Sequence, residues 1–251
     1  MLVVIPMAGL SSRFTEAGYT VPKYMLMAGG RSLFSHSVRS FEALFGQVHF
    51  LFVHREIQDT GGFIERECAE MGLCNVSRVI LDAPTRGQAE TVAMGLRRLA
   101  IDADEPLLIF NIDTIRPGYR LPELAFAWDG YLEVFKGDGE NWSFVGPAEG
   151  PELRAAVTTE KRRISNLCST GLYHFRRCGE FLQAFDAELA SGPADTIELY
   201  VAPLYNDLIR RGLDIRYEIV ERDHVIFSGV PAEYEAFRAQ IEEASCWQSP
   251  N

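Results

Sequence analysis

Residues 5–23 read IPMAGLSSRFTEAGYTVPK, an order suited to handling phosphate. An apolar run, Leu2–Pro6, ends in a loop of mostly small residues, Ala8-Gly9-Leu10-Ser11-Ser12, followed by Arg13. Small side chains let backbone N–H groups approach a phosphate closely, and serine hydroxyls add donors. Arg13 offers a planar fork that matches a pair of phosphate oxygens. The same stretch also reads as an exposed Gly/Ser turn. Two other phosphate loops are excluded: there is no GxxxxGK[ST], and Ser11 breaks a GxGxxG.

Asp113 follows the apolar run Leu107–Phe110 and precedes Pro117, which places it at the same sheet edge as the loop. A hard carboxylate there suits Mg²⁺ shared with phosphate oxygens, or caps the next segment. Glu160-Lys161 is a charge pair that could be a plain surface ion pair. Of 24 basic residues only Lys23, Lys136 and Lys161 are lysine. The five histidines form no HxxxH or HExxH pair, so a zinc site is not expected. No GxSxG elbow supports a serine nucleophile.

These groups need a frame. Strands are expected at Leu2–Pro6, Val48–Val53, Val79–Leu81 and Leu107–Phe110. Between them, helices are expected at Phe34–Phe45, Phe63–Met71 and Gln88–Leu99. That alternation implies right-handed crossovers and a parallel sheet covered on both faces. After about residue 128, Tyr131–Phe135, the turn-like Gly137-Asp138-Gly139 and Trp142–Val145 read as antiparallel strands, with a further strand at Thr170–Phe175. Helices at Arg177–Leu189 and Thr196–Arg211, strands at Ile215–Val220 and Val225–Phe227, and a last helix through Tyr234, Phe237 and Ile241 complete the pattern. The net charge of −11 argues against a general nucleic-acid binder. No apolar run is long enough to span a membrane, and the first residues do not read as a signal peptide. Five cysteines without a CxxC read as reduced thiols of a cytoplasmic protein. Oligomeric state is not legible.

In order along the chain, several segments resemble the sugar-1-phosphate nucleotidyltransferases. The signature of that family reads G-x-G-[ST]-R, nine residues, then K within P-K; Gly9, Ser12, Arg13 and Pro22-Lys23 stand at that spacing. Arg86-Gly87-Gln88-Ala89-Glu90-Thr91 resembles its base loop, Asn111-Ile112-Asp113 its strand-end metal carboxylate and Glu160-Lys161 its E-K pair. Thr170-Gly171-Leu172-Tyr173, Ala202-Pro203-Leu204-Tyr205-Asn206 and Gly229-Val230-Pro231 resemble later markers. Two of the three lysines thus fall on motif sites, where a compact point charge is not replaced by a guanidinium fork.

The resemblance implies an α/β fold, a nucleotide-binding three-layer sandwich with a central, mostly parallel mixed sheet of nucleotidyltransferase or GT-A type. It implies one domain over residues 1–251, with a nucleotide half at 1–127 and an acceptor half at 128–251. The implied reaction joins an NTP to a phosphorylated small molecule such as a sugar 1-phosphate and releases pyrophosphate. Mg²⁺ is the implied cofactor, and cell-surface polysaccharide synthesis the implied setting. Arg13, Lys23 and Lys161 would be catalytic; Met7, Ala8, Gly9, Ser11, Ser12, Gly87 and Gln88 would hold the nucleotide. Asn111, Glu160, Thr170 and Gly171 would hold the acceptor, and Asp113 the metal.

Two other readings stay open. A GT-A glycosyltransferase would want D-x-D where Asn111-Ile112-Asp113 stands. A non-catalytic nucleotide-sugar sensor is kept alive by Ser11, where the family has glycine and a positive φ would cost. One further departure stands out: Phe227 occupies the place of a second metal carboxylate in many relatives. Asp113 is then expected to act with phosphates and water, in preference to a contribution from Asp223.

Overall fold

A computed structural model describes residues 1–191 and 198–247, with side chains to residue 244. The first half alternates as expected. Strand β1 (Leu2–Met7) leads through a short helix, α1 (Ser12–Glu16), to a small ribbon of β2 (Met27–Ala28) and β3 (Arg31–Ser32). Then come α2 (Leu33–Val38), β4 (His49–Arg55), α3 (Thr60–Met71), β5 (Val76–Leu81), α4 (Gln88–Arg98), β6 (Leu107–Phe110) and β7 (Thr114–Ile115). The second half runs β8 (Gly130–Lys136), β9 (Ser143–Pro147), β10 (Ala155–Glu160), β11 (Leu167–Phe175), α5 (Cys178–Ser191), α6 (Tyr205–Arg210), β12 (Ile215–Val220), β13 (Ile226–Phe227) and α7 (Pro231–Trp247).

Nine strands form one mixed sheet in the order β10-β9-β11-β6-β1-β4-β5, with β8 also pairing β11 and β12 pairing β8. Strands β6, β1, β4 and β5 are parallel, as are β8 and β12, while β11 runs antiparallel to β6 and β8. Strand alternation makes the layers. Leu2 and Val4 pack into a core with α4 and α5, whereas Val3 and Ile5 join Phe34, Phe41 and Phe52 on the opposite face. Strand β1 is buried on both faces, which is why its sequence is a continuous apolar run.

Several expectations change. The helix through Phe34 and Phe45 stops being α-helical at Val38 and continues as a 3₁₀ turn, Arg39–Leu44. Phe41 leaves helical angles and seats its ring edge-on against Phe110 and Tyr119, 4.9 and 5.0 Å away. The loop after β1 contains α1, which was not expected. Strands β8 and β9 do not pair with each other, because β11 lies between them and pairs with both. Strand β10, unread in the sequence, pairs antiparallel with β9 instead. The helix expected at Thr196–Arg211 starts outside the described residues. Of its described part, residues 198–201 are not helical, and a 3₁₀ turn, Ala202–Leu204, then leads into α6.

Candidate active site

The carboxyl ends of β1 and β6, the place where open α/β sheets collect ligands, face a cleft of about 1000 Å³. Met7, Ala8, Gly9 and Ser11 line it as β1 gives way to α1, with Arg13 projecting from the first turn. Ser11 sits at φ 51°, ψ 31°, in the left-handed region, and its side chain makes no capping bond. The strain anticipated for serine is therefore present at the bend. Ser12 is exposed on α1 and does not line the cleft, so its backbone starts the helix while its side chain points elsewhere.

At the end of β6, Asn111 and Asp113 enter the same cleft. Asp113 Oδ2 lies 2.5 Å from the Lys23 ammonium, which arrives from a 3₁₀ turn, Lys23–Met25. The loop carrying Asp113 is tied to the C-terminal segment, since the backbone N–H of Ser228 donates to the Asp113 carbonyl at 2.8 Å. Gln88, at the start of α4, donates its side-chain amide to Asn111 Oδ1. Asn111 needs room, and the lack of a side chain at Gly171 supplies it: a Cβ there would lie 2.4 Å from Asn111 Nδ2. Gly171 holds φ +91° where the β11–β8 register shifts between Ser169 and Tyr173.

The loop of residues 86–91 is pinned by Leu199. Leu199 N donates to the Arg86 carbonyl at 2.9 Å, and Ala89 N to the Leu199 carbonyl at 3.0 Å. Gly87 adopts φ 148° with Leu199 so close that a Cβ would meet its carbonyl at 2.5 Å. Arg86 and Glu90 pair at 2.6 Å, which turns the Glu90 carboxylate toward its own loop.

The side of the cleft where the acceptor residues were expected is mixed in character. Glu160 accepts a hydrogen bond from the Ser143 hydroxyl, and burial raises its pKa above the usual carboxylate range. Thr170 and Gly171 line the cleft beside it. Lys161 does not line the cleft: at φ 50° its backbone turns outward, and its ammonium binds Tyr200 and Glu198, the latter at 3.3 Å. Those two partners do line the cleft, so Lys161 stands at the rim behind them. Phe227 also lines it, packed on Trp142 at 4.8 Å and Phe135 at 5.4 Å, with the Arg222 guanidinium 4.9 Å above its ring. Trp142 both packs and lines the cleft. Asp223 is exposed and outside it.

A crystal structure of the nucleoside-diphosphate-sugar pyrophosphorylase from Vibrio cholerae RC9 matches 95% of this chain and 100% of its own, at 48% identity and TM-score 0.90. The chain belongs to the nucleoside-diphosphate-sugar pyrophosphorylase family. Two more distant structures share the fold. One is the inositol-1-phosphate CTP transferase from T. maritima (16% identity, 96% of each chain, TM-score 0.71). The other is an apo UDP-glucose pyrophosphorylase (15% identity, 97% of this chain and 98% of its own, TM-score 0.74). No family model and no curated protein matches the chain. Membership makes this pyrophosphorylase-family chain an enzyme of the nucleotidyltransferase type.

Sequence reading missed Glu140, Glu198, Tyr200 and Glu233 as lining residues. Glu198 and Tyr200 had no signal, since they reach the cleft only because Leu199 is pinned to the base loop. Glu233 had a partial one, as the third residue of a helix begun by Pro231. It reads there as a cap, and Glu233 Oε2 does accept from Gly229 N and Val230 N at 2.9 and 3.3 Å.

Proposed function

We propose that the protein transfers a nucleotidyl group from an NTP to a sugar 1-phosphate, or a similar phosphorylated small molecule, with release of pyrophosphate. The observation that carries this reading is the convergence of Arg13, Lys23, Asp113 and Glu160 on one cleft at the carboxyl ends of parallel strands. An acceptor phosphate oxygen forms a bond to the α-phosphorus as the bond to the bridging oxygen of pyrophosphate breaks, so no protein nucleophile is required. Positioning and charge neutralisation supply most of the rate. The loop from Ala8 to Ser11 offers backbone amides to the triphosphate, and Arg13 and Lys23 meet its charge and that of the departing pyrophosphate. Gly87 and Gln88 face the base, and Glu160, buried and held by Ser143, orients acceptor hydroxyls. Lys161 neutralises the acceptor phosphate from the rim once it exchanges Glu198 for the ligand.

Among the described residues, three cationic side chains line the cleft, Arg13, Lys23 and Arg86, against five carboxylates, Asp113, Glu140, Glu160, Glu198 and Glu233. Protein charge alone therefore leaves two phosphorylated anions unneutralised, and the hard-oxygen donors fit Mg²⁺. Asp113 would hold that ion, which supplies charge stabilisation at the phosphates when bound. We read the chain as one domain whose halves, 1–127 and 128–251, serve nucleotide and acceptor. Unpaired Cys68, Cys168 and Cys178, all buried, support a reducing, cytoplasmic setting. The role in cell-surface polysaccharide synthesis is supported by the family resemblance.

The test is pyrophosphate release across a panel of NTPs and sugar 1-phosphates with Mg²⁺. Release that requires both substrates supports the reading. Tight binding of both substrates without release would make the protein a sensor.

A further inference from the structure

Resting on the reading above, we infer that Glu233, on the first turn of α7, supplies the second carboxylate for the divalent cation at Asp113, in the role that Phe227 cannot fill. The phenyl ring of Phe227 is packed between Trp142 and Arg222 and has no donor. Asp223, the sequence candidate, lies outside the cleft. Glu233 lines it.

The geometry centres on Gly229. A methyl group placed there would lie 3.0 Å from Asp113 Oδ2 and 3.6 Å from Glu233 Oε2. The two carboxylates thus bracket a space about as large as one missing side chain. Gly229 does not occupy the left-handed φ region, so its backbone does not demand glycine. What a side chain would take there is room.

The Glu233 carboxylate is also held in place. Its Oε2 accepts the two backbone N–H groups of Gly229 and Val230, while Oε1 has no hydrogen-bond partner among the described residues. A carboxylate with one oxygen anchored and one free is pre-oriented for a cation. Asp113 Oδ2, the oxygen that faces this space, already takes one cationic partner, the Lys23 ammonium at 2.5 Å. Mg²⁺ is commonly bound by one or two carboxylates with substrate phosphates and water, and Asp113 with Glu233 makes that set. Asp113 comes from the end of β6 and Glu233 from the C-terminal helix, so the pair joins two distant parts of the chain. The single-carboxylate expectation is extended accordingly.

Glu233→Gln separates this role from helix capping, because the glutamine oxygen still accepts from Gly229 and Val230 while the charge is gone. The measurement is Mn²⁺ binding followed by electron paramagnetic resonance, with a non-hydrolysable NTP analogue present, alongside thermal melts and calorimetric titration of the analogue. We expect Glu233→Gln to keep its melting temperature and to lose about 10-fold or more in Mn²⁺ affinity. Gly229→Ala should show a comparable loss, and Asp223→Ala none. Wild-type Mn²⁺ affinity in both Glu233→Gln and Gly229→Ala would overturn the inference while leaving the proposed function standing. A wild-type protein that does not bind the analogue at all would overturn that function, and the inference with it.

Discussion

Asp113 and Lys23 meet across the cleft as a close ion pair, yet each is assigned to a different part of the reaction. Asp113→Asn is nearly isosteric and should leave folding intact while lowering turnover by at least about 100-fold, since a metal-held charge in the transition state is worth several kcal/mol. Steady-state pyrophosphate release decides it, and near-normal Mg²⁺-dependent turnover would remove Asp113 from the metal role. The two motif lysines should separate by substrate. Lys23→Arg should raise the KM for NTP, because a fork does not reproduce a point charge beside Asp113. Lys161→Arg should impair use of the acceptor while NTP affinity holds. Wild-type behaviour in the second variant would confine Lys161 to its rim contacts with Tyr200 and Glu198. Residue types and spacing made Arg13, Lys23, Asp113 and Glu160 legible in advance. They could not reveal that Lys161 stands at the rim behind Tyr200 and Glu198, because those partners are brought to it from a distant part of the chain.

At the scale of elements, α4 shows how a helix start is placed by a segment distant in the chain. Gly87 tolerates φ 148° and the contact with Leu199, and a Cβ 2.5 Å from that backbone carbonyl has no flexible neighbour to displace. Gly87→Ala should cost roughly 1–3 kcal/mol in denaturant unfolding and raise the KM for NTP more than that for the acceptor. An unchanged midpoint would show that the base loop moves freely from Leu199. Helix α7 makes a comparable link at the other side. Tyr19 bonds to Glu235, and Phe14, Tyr19 and Tyr234 pack edge to edge, so the loop after β1 rests on the C-terminal helix. Apolar periodicity announced α3, α4 and α7. The separation of β8 from β9 by β11 was hidden, because strand pairing depends on long-range register that local alternation does not encode.

Across the whole molecule, a liability to acid is a buried histidine that does not line the cleft. His174 is buried in β11 beside Tyr131, stacked at 5.1 Å, and neither ring nitrogen has a hydrogen-bond partner. Burial lowers its pKa from 6.5 to about 4. Between those values the unfolded chain binds a proton that the folded chain does not, so stability falls as pH drops from 6.5 toward 4. The loss should approach roughly 3 kcal/mol over that window. His54, also buried with its pKa lowered by burial, acts in the same direction. Unfolding midpoints of wild type and His174→Phe, measured from pH 7.5 to 4.5, test this. The variant should show a visibly shallower decline, and equal slopes would place the acid sensitivity elsewhere.

The sequence alone determined the α/β class, the small-residue loop at the end of the first strand, and Arg13, Lys23, Asp113 and Glu160 among the charged groups that line the cleft. Those features rest on local patterns: buried apolar runs, helical periodicity, and glycines or small residues where backbone must approach a ligand. Tertiary structure decided what stands opposite what. It placed Leu199 against Gly87, Phe227 against Trp142, and Glu233 across Gly229 from Asp113. Each of these pairs joins residues distant in the chain, and their meeting depends on how the sheet orders its strands and where α7 returns to it. That geometry is set by the packing of the two large cores on either face of the sheet and of the smaller clusters under α7 and around Phe135, a property of the whole chain and not of any segment of it.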